Sequence, residues 1–221
     1  MSASKTEDGQ HGQAPRDTAV RGGAAPAADF SIETVKDRFR RYSVYRPITD
    51  DEREISAAVL VPLYVLDDEL HVILTKRTNL MSKQQGHIAF PGGRRESQDP
   101  DLLTTALRES FEEIGLDPTH VDVLCRIDDF STHNGATFVA GFVGMIDPAA
   151  SPYTWRPQER EVAEMLEVPV RDLLDARNWT VKEPRALNGR LWPDEDFHFR
   201  GHRTFGATAR AMRNVLNIAF A

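Results

Sequence analysis

The run Phe90-Pro91-Gly92-Gly93-Arg94-Arg95-Glu96 continues through Asp99-Pro100 to Arg108-Glu109-Ser110-Phe111-Glu112-Glu113-Ile114-Gly115-Leu116. Fold and chemistry both turn on this stretch. Leu102 to Ile114 carries helical periodicity, and Gly115 ends it. Asp99 suits the N-cap and Pro100 the first helical position. At about 100° per residue, Glu109, Glu112 and Glu113 fall within roughly a 100° arc, with Leu103, Leu107, Ser110 and Ile114 opposite. The helix can therefore bury one face and gather three carboxylates on the other. Like charges one turn apart repel, and the C-terminal end of a helix is the wrong end for anions. Arg108 relieves part of that cost. A hard divalent cation such as Mg²⁺ or Mn²⁺, which prefers oxygen ligands, would relieve the rest. A Glu-Glu pair alone reads as a solvated face; the whole constellation, with a Gly-Gly turn upstream, reads as a metal site.

Outward from this helix, Ile55 to Leu66 is β-branched and apolar and runs into the acidic turn Asp67-Asp68-Glu69. His71 to Thr75 follows as the second arm of a hairpin. Val121 to Ile127 and Thr137 to Ile146 also read as strands. Ile32, Val35 and Phe39 recur at helical spacing behind a cap at Ser31, and Thr204 to Phe220, with Ala211, Val215 and Ile218, reads as a closing helix. The pattern predicts one mixed-sheet α/β domain over residues 30–221 with helices on its faces. Residues 1–29, rich in Gly, Ala, Ser, Gln and Pro, have too few large apolar groups to offset the entropy of ordering and read as a flexible tail.

Composition narrows the function. The chain of 221 residues carries 27 Lys and Arg against 34 Asp and Glu, a net charge of -7, which argues against a protein that coats nucleic acid. Hydrophobic residues make up 40%, enough for a packed core. The longest apolar stretch, Ala57 to Leu66, is too short to span a bilayer, so no membrane association is expected. Glu7, Asp8, Asp17 and Asp29 speak against a transit peptide. The lone Cys125 allows no internal disulfide and fits a reducing compartment, so a cytoplasmic location is expected.

The segment Gly93 to Leu116 resembles the Nudix box, Gly-x5-Glu-x7-Arg-Glu-U-x-Glu-Glu-x-Gly-U with U aliphatic. Gly93, Arg108, Glu109, Glu112, Glu113, Gly115 and Leu116 match. Asp99 stands where the first Glu is expected, one extra residue separates it from Arg108, and Ser110 replaces an aliphatic. Upstream, Thr75-Lys76-Arg77-Thr78, Gly86 and Phe90-Pro91-Gly92-Gly93 resemble the second signature of the coenzyme A pyrophosphatase branch, which tolerates that Asp and the extra residue. Ile73, Thr78 and Ser82 depart from it, Ser82 standing where an Arg is expected. Together the two signatures cover Ile73 to Leu116.

The resemblance implies an α/β/α sandwich with a mixed sheet and a small nucleotide as substrate. It also implies metal-dependent hydrolysis of a pyrophosphate bond. On that basis Glu109, Glu112, Glu113 and the Gly92 carbonyl are the expected ligands of Mg²⁺ or Mn²⁺. Glu112 or Glu113 orients or deprotonates the attacking water, and Arg108 keeps the carboxylates in register through Asp99 or a neighbouring acid. On the substrate side stand Gly93, Arg77 and Lys83, the two cations being candidates for a 3'-phosphate. Lys76 stands behind them. For Arg77 an ion pair with an acid on the hairpin is an equal alternative. Homodimers are common in the family, but no patch of this sequence marks an interface.

Other residues carry less. Of Glu159, Glu161 and Glu164, which read as charged loop surface, Glu161 is the best candidate for a further carboxylate near the metals. His198 and His202 have zinc-like spacing, interrupted by Gly201. Trp192 and Phe197 fit packing better than adenine stacking. Cys125 reads as an inert core thiol, and Arg38, Arg40, Arg41 and Arg46 as a solvated helix face rather than a polyphosphate contact. Two other functions share this pattern: hydrolysis of a dinucleotide or nucleotide sugar, and nucleotide sensing without turnover. The intact acidic cluster argues against the sensor.

Overall fold

The structure, a computed structural model, describes residues 31–79, 86–132, 137–187 and 190–220. The tail expected over residues 1–29, and Ser82 and Lys83, lie outside the described residues. In chain order the elements are helix α1 (Ile32–Arg41), strands β1 (Ile55–Leu66), β2 (Glu69–Arg77), β3 (Ile88–Ala89) and β4 (Gly92–Arg94), and helix α2 (Leu102–Ile114). Strands β5 (Val121–Arg126), β6 (Phe130–Ser131), β7 (Phe138–Ile146) and β8 (Val162–Pro169) follow, then the short helix α3 (Val170–Leu174). A second group comprises β9 (Trp179–Leu187), β10 (Arg190–Phe199), β11 (His202–Phe205) and helix α4 (Gly206–Ala219).

The main sheet has eight strands in the order β3-β2-β1-β7-β5, with β4 on β1, β6 on β7 and β8 on β2. It is mixed, since β1 runs parallel to β7 and antiparallel to β2 and β4. Asp67 and Asp68 make the β1–β2 turn with φ of 49° and 61°, the left-handed pair that a two-residue hairpin requires and that Asp tolerates.

Alternation along β1 divides the core in two. Ala57, Val61 and Leu63 face α1 and α4 with Val72, Leu74, Val139 and Val143. Ala58, Leu60 and Tyr64 face α2 with Ile73, Ala140 and Phe142. Ile55 breaks parity by joining the second set; a register shift between Ile55 and Ala57 supplies the extra residue that turns it over. The result is the α/β/α sandwich implied above, with α2 alone on the face that carries the carboxylates.

Three expectations shift. The N-cap of α2 is Asp101, whose side chain accepts from the Thr104 N–H at 2.7 Å, and the helix begins at Leu102 rather than Pro100. Asp99 is thereby freed for Arg108. The closing helix begins at Gly206, because Thr204 and Phe205 belong to β11. Strands β8 to β11 stand where the apolar pattern marked no strand. The second sheet, β11-β10-β9, packs Trp179, Phe197 and Phe199 into the α1/α4 side of the core.

The arginines on and beyond α1 form a largely solvated face, with Arg38 alone tied to another helix. Arg38 donates to the Ala219 carbonyl at 2.6 Å, Arg40 pairs with Asp122, Arg41 with Asp37, and Arg46 beyond the helix with Asp128. Among the described residues no helix is long and apolar enough to cross a membrane.

Candidate active site

Strand β4 brings the Gly-Gly turn alongside β1, pairing Gly92 with Val59 and Gly93 with Ala58. Gly92 demands glycine, and at Gly93 any side chain would displace the Glu109 carboxylate. A Cβ on Gly92, at φ 152°, would lie 2.4 Å from the Ala58 carbonyl, and one on Gly93 would lie 2.4 Å from the Glu109 carboxylate. Their bare backbone lets α2 approach until its acids meet β4.

Arg108 organises the near side. Its Nε donates to Asp99 Oδ1 at 3.1 Å and its Nη2 to Asp99 Oδ2 at 3.0 Å. The same guanidinium reaches Glu109 at 3.1 Å, Glu112 at 3.0 Å and the Arg94 carbonyl at 3.0 Å. Asp99 is buried and also accepts from the Glu96 N–H and the Thr105 hydroxyl. The Arg108 guanidinium holds the Asp99 carboxyl well below the usual carboxylate range. Ser110, the departure from an aliphatic, is fully buried and satisfies its hydroxyl on the Ala106 carbonyl at 2.7 Å.

Glu113 sits on the far side. It is only 4% exposed, so the helix does not hold all three acids on an open face. Its Oε2 accepts from the Gly92 N–H at 3.1 Å and its Oε1 lies 3.7 Å from Arg77 Nη1. Burial pushes its pKa up to about 7; the Gly92 N–H and Arg77 pull against that, while Glu109 and Glu161 add to it. Glu109 is raised too, chiefly by burial and against the pull of Arg108. Glu112, with 55% of its side chain exposed, turns to Arg108.

Glu161 reaches this cluster from the loop before β8. Gln158 and Arg156 donate their backbone N–H groups to the carbonyls of Glu113 and Ile114, which docks that loop on the end of α2. Thr78 N–H then bonds the Glu161 carbonyl at 2.9 Å. Glu164 instead pairs with Lys76 and with His202, and Glu159 is exposed.

The donors around Gly92 and Gly93 are oxygens, the chemistry of a hard cation. Two carboxylates with raised pKa beside a backbone cradle fit such an ion. Among the described residues no three Asp, Glu, His or Cys groups are gathered as a metal cage. Arg108 pairs with both Glu109 and Glu112, while Glu113 lies against the Gly92 N–H.

Remaining residues stand away from these acids. Trp192 lies under Arg210 at 5.4 Å and lines a separate hollow between β10 and α4. Phe197 packs in the core on Trp179 at 5.1 Å. His198 bonds Thr180. Cys125 is half-buried, with its thiol pushed up to about 12 by burial.

The Nudix domain profile matches residues 55–187. The chain belongs to the Nudix family. It is 34% identical over 186 residues to the uncharacterized Nudix hydrolase NudL of Enterobacter sp. (strain 638), a match covering 82% of this chain and 93% of that one. It is 40% identical over 179 residues to the chloroplastic Nudix hydrolase 22 of Arabidopsis thaliana, covering 76% of this chain and 56% of the plant protein. With the mouse peroxisomal coenzyme A diphosphatase NUDT7 it shares 32% over 148 residues, 66% of this chain and 59% of that protein. A looser likeness joins it to the Ap4A hydrolase of Caenorhabditis elegans, at 18% identity and a TM-score of 0.45 over 54% of this chain and 83% of the other; the assignment rests on the sequence matches. The protein is a Nudix hydrolase, acting on a pyrophosphate bond in a nucleoside diphosphate-linked substrate. Nudix hydrolases generally depend on a divalent metal.

Proposed function

We propose that this Nudix hydrolase cleaves coenzyme A or an acyl-CoA into 4'-phosphopantetheine, or its acylated form, and adenosine 3',5'-bisphosphate. Support for the chemistry comes from one observation above all: Glu113, a buried carboxylate with a raised pKa, lies against the glycine turn beside Glu109. Support for the substrate comes from the signature Thr75 to Gly93 and from the likeness to the mouse coenzyme A diphosphatase.

Glu109, Glu112, Glu113 and the Gly92 carbonyl would hold Mg²⁺ or Mn²⁺. When bound, such a cation neutralises phosphate oxygens and makes hydroxide available near neutral pH. Glu112 or Glu113 orients the attacking water or accepts its proton. Glu161 adds negative charge to the same spot. Arg108 keeps Glu109 in register from the Asp99 side. Arg77 and Lys83 meet the phosphates, and Gly93 leaves room for the reacting group. A single half-buried cysteine accords with a reducing compartment, and we assign the protein to the cytoplasm.

Incubation with Mg²⁺ or Mn²⁺ and a panel of coenzyme A, acyl-CoAs, dinucleotides and nucleotide sugars tests this. Release of adenosine 3',5'-bisphosphate is the expected result. Cleavage of dinucleotides or nucleotide sugars alone would overturn the coenzyme A assignment.

A further inference from the structure

Arg77 and Glu113 meet across 36 residues of sequence, and the contact between them is incomplete. Arg77 Nη1 stands 3.7 Å from Glu113 Oε1, too far for a hydrogen bond. The Nε of Arg77 is buried and has no hydrogen-bond partner among the described residues. Glu113 receives one further hydrogen bond, from the Gly92 N–H. Arg108, by contrast, spends its donors on Asp99, Glu112 and the Arg94 carbonyl at 3.0–3.1 Å. A buried carboxylate and a half-buried guanidinium that do not complete a hydrogen bond make a contact that a stronger counter-charge can displace.

The backbone at Arg77 is pinned while its side chain is not. Its N–H donates to the His87 carbonyl at 2.9 Å, and its own carbonyl accepts from the Gly86 N–H at 3.1 Å. Side-chain rotation, not strand movement, is therefore enough to break the pair, and with 22% of its side chain exposed Arg77 has somewhere to turn.

We propose that Arg77 and a divalent cation are alternative counter-ions of Glu113, so that entry of the cation releases the Arg77 guanidinium toward a substrate phosphate. The proposal rests on the metal-dependent reading of this site. A dication against the Glu113 oxygens repels a guanidinium less than 4 Å away, and a contact without a hydrogen bond cannot hold against it. Arg77 is thus a positioning residue first, keeping Glu113 neutralised and in place, and a phosphate ligand second.

Mn²⁺ titration without substrate, followed by the electron paramagnetic resonance signal of the free ion, tests this directly. Arg77→Ala should bind Mn²⁺ about five- to tenfold more tightly than wild type, the range of a modest coupling between competing partners. Arg53→Ala, which removes an equal charge at an exposed pair with Asp51, should leave the affinity unchanged. In the presence of a chelator, Arg77→Ala should lower the denaturation midpoint, and saturating Mn²⁺ should close the gap. In a Glu113→Gln background the same substitution should cost nothing. Unchanged or weaker Mn²⁺ binding by Arg77→Ala would overturn the proposal, as would equal losses of stability in both backgrounds. If Arg77→Ala does not fold, Arg77→Lys carries the comparison, with an affinity between the two. A wild-type protein that takes up no Mn²⁺ at all sinks the metal reading itself and this inference with it, an outcome distinct from uptake that ignores Arg77.

Discussion

Asp99 and Glu113 flank α2 at its two ends, both buried to within 5% of full enclosure, yet they titrate in opposite directions. Asp99 receives two hydrogen bonds from Arg108, one from the Glu96 N–H and one from the Thr105 hydroxyl, and is held as a carboxylate. Glu113 receives one backbone N–H and a distant guanidinium, and burial takes it up to about 7. Burial alone therefore does not make an acid functional. What separates the two is how fully the surrounding structure answers the charge: Asp99 is a finished joint that orients Arg108, and Glu113 is left with capacity for another partner.

The sharpest way to break this contrast is to remove each charge in turn. Glu113→Gln should lower turnover by about 10³-fold, the scale of losing one group that stabilises developing charge in a closed site, while the circular dichroism spectrum stays that of wild type. Turnover within tenfold of wild type would show that the under-answered acid serves the fold after all. Asp99→Asn should do the reverse, costing about 3 kcal/mol of stability because Arg108 is left buried without its main partner. Urea denaturation reads that loss directly; a change below 1 kcal/mol would mean that Glu109 and Glu112 suffice to hold Arg108.

The contrast also sets a pH dependence. In the unfolded chain Glu113 ionises near 4.5, and in the fold near 7, so between these values the folded protein binds the extra proton. Stability measured in a chelator should therefore fall as pH rises from 5 to 7 and level off above. A shift of that size corresponds to about 3 kcal/mol. Glu113→Gln should abolish most of the slope and be the more stable protein at pH 8. Asp99 contributes the opposite way, its stabilisation being fully present above about pH 4 and lost only as the folded carboxyl protonates in stronger acid. A wild-type protein whose stability rises between pH 5 and 7 would reverse the assignment of Glu113.

Much of this was legible in the residues and some was not. The span of α2, its Gly115 stop and the main strands β1, β2, β5 and β7 follow from apolar periodicity and turn chemistry, which local sequence carries; the Arg108–Asp99 bond was expected only from the resemblance to the Nudix box. The inward turn of Glu113 does not. Helical geometry places it within an arc with Glu109 and Glu112, but whether that arc meets solvent depends on β4 and on the loop before β8 docking against it. Strand β8 did have a signal, since Val162, Leu166 and Val168 alternate into the core; the acids Glu159, Glu161 and Glu164 disguised it as surface. Strands β9 and β10 had less. Pro184 and Pro193 interrupt them, and a register shift between Trp192 and Asp194 breaks the alternation. Lys182, Arg203 and Asp196 form a cross-strand cluster that only the fold assembles.

Glu112 offers the smallest structural effect and so the finest test of the contrast. Its side chain is more than half exposed, and its partner Arg108 keeps Asp99 and Glu109 without it. An exposed pair one helical turn apart contributes about 0.3–0.5 kcal/mol, so Glu112→Gln should leave the urea midpoint almost unmoved. Turnover should nonetheless fall by about 100-fold, on the proposal that Glu112 is one of the metal ligands. Asp99→Asn costs stability, and Glu113→Gln changes both stability and turnover; Glu112→Gln alone should separate them. Near-normal activity in that variant would confine the working acids to Glu109, Glu113 and Glu161.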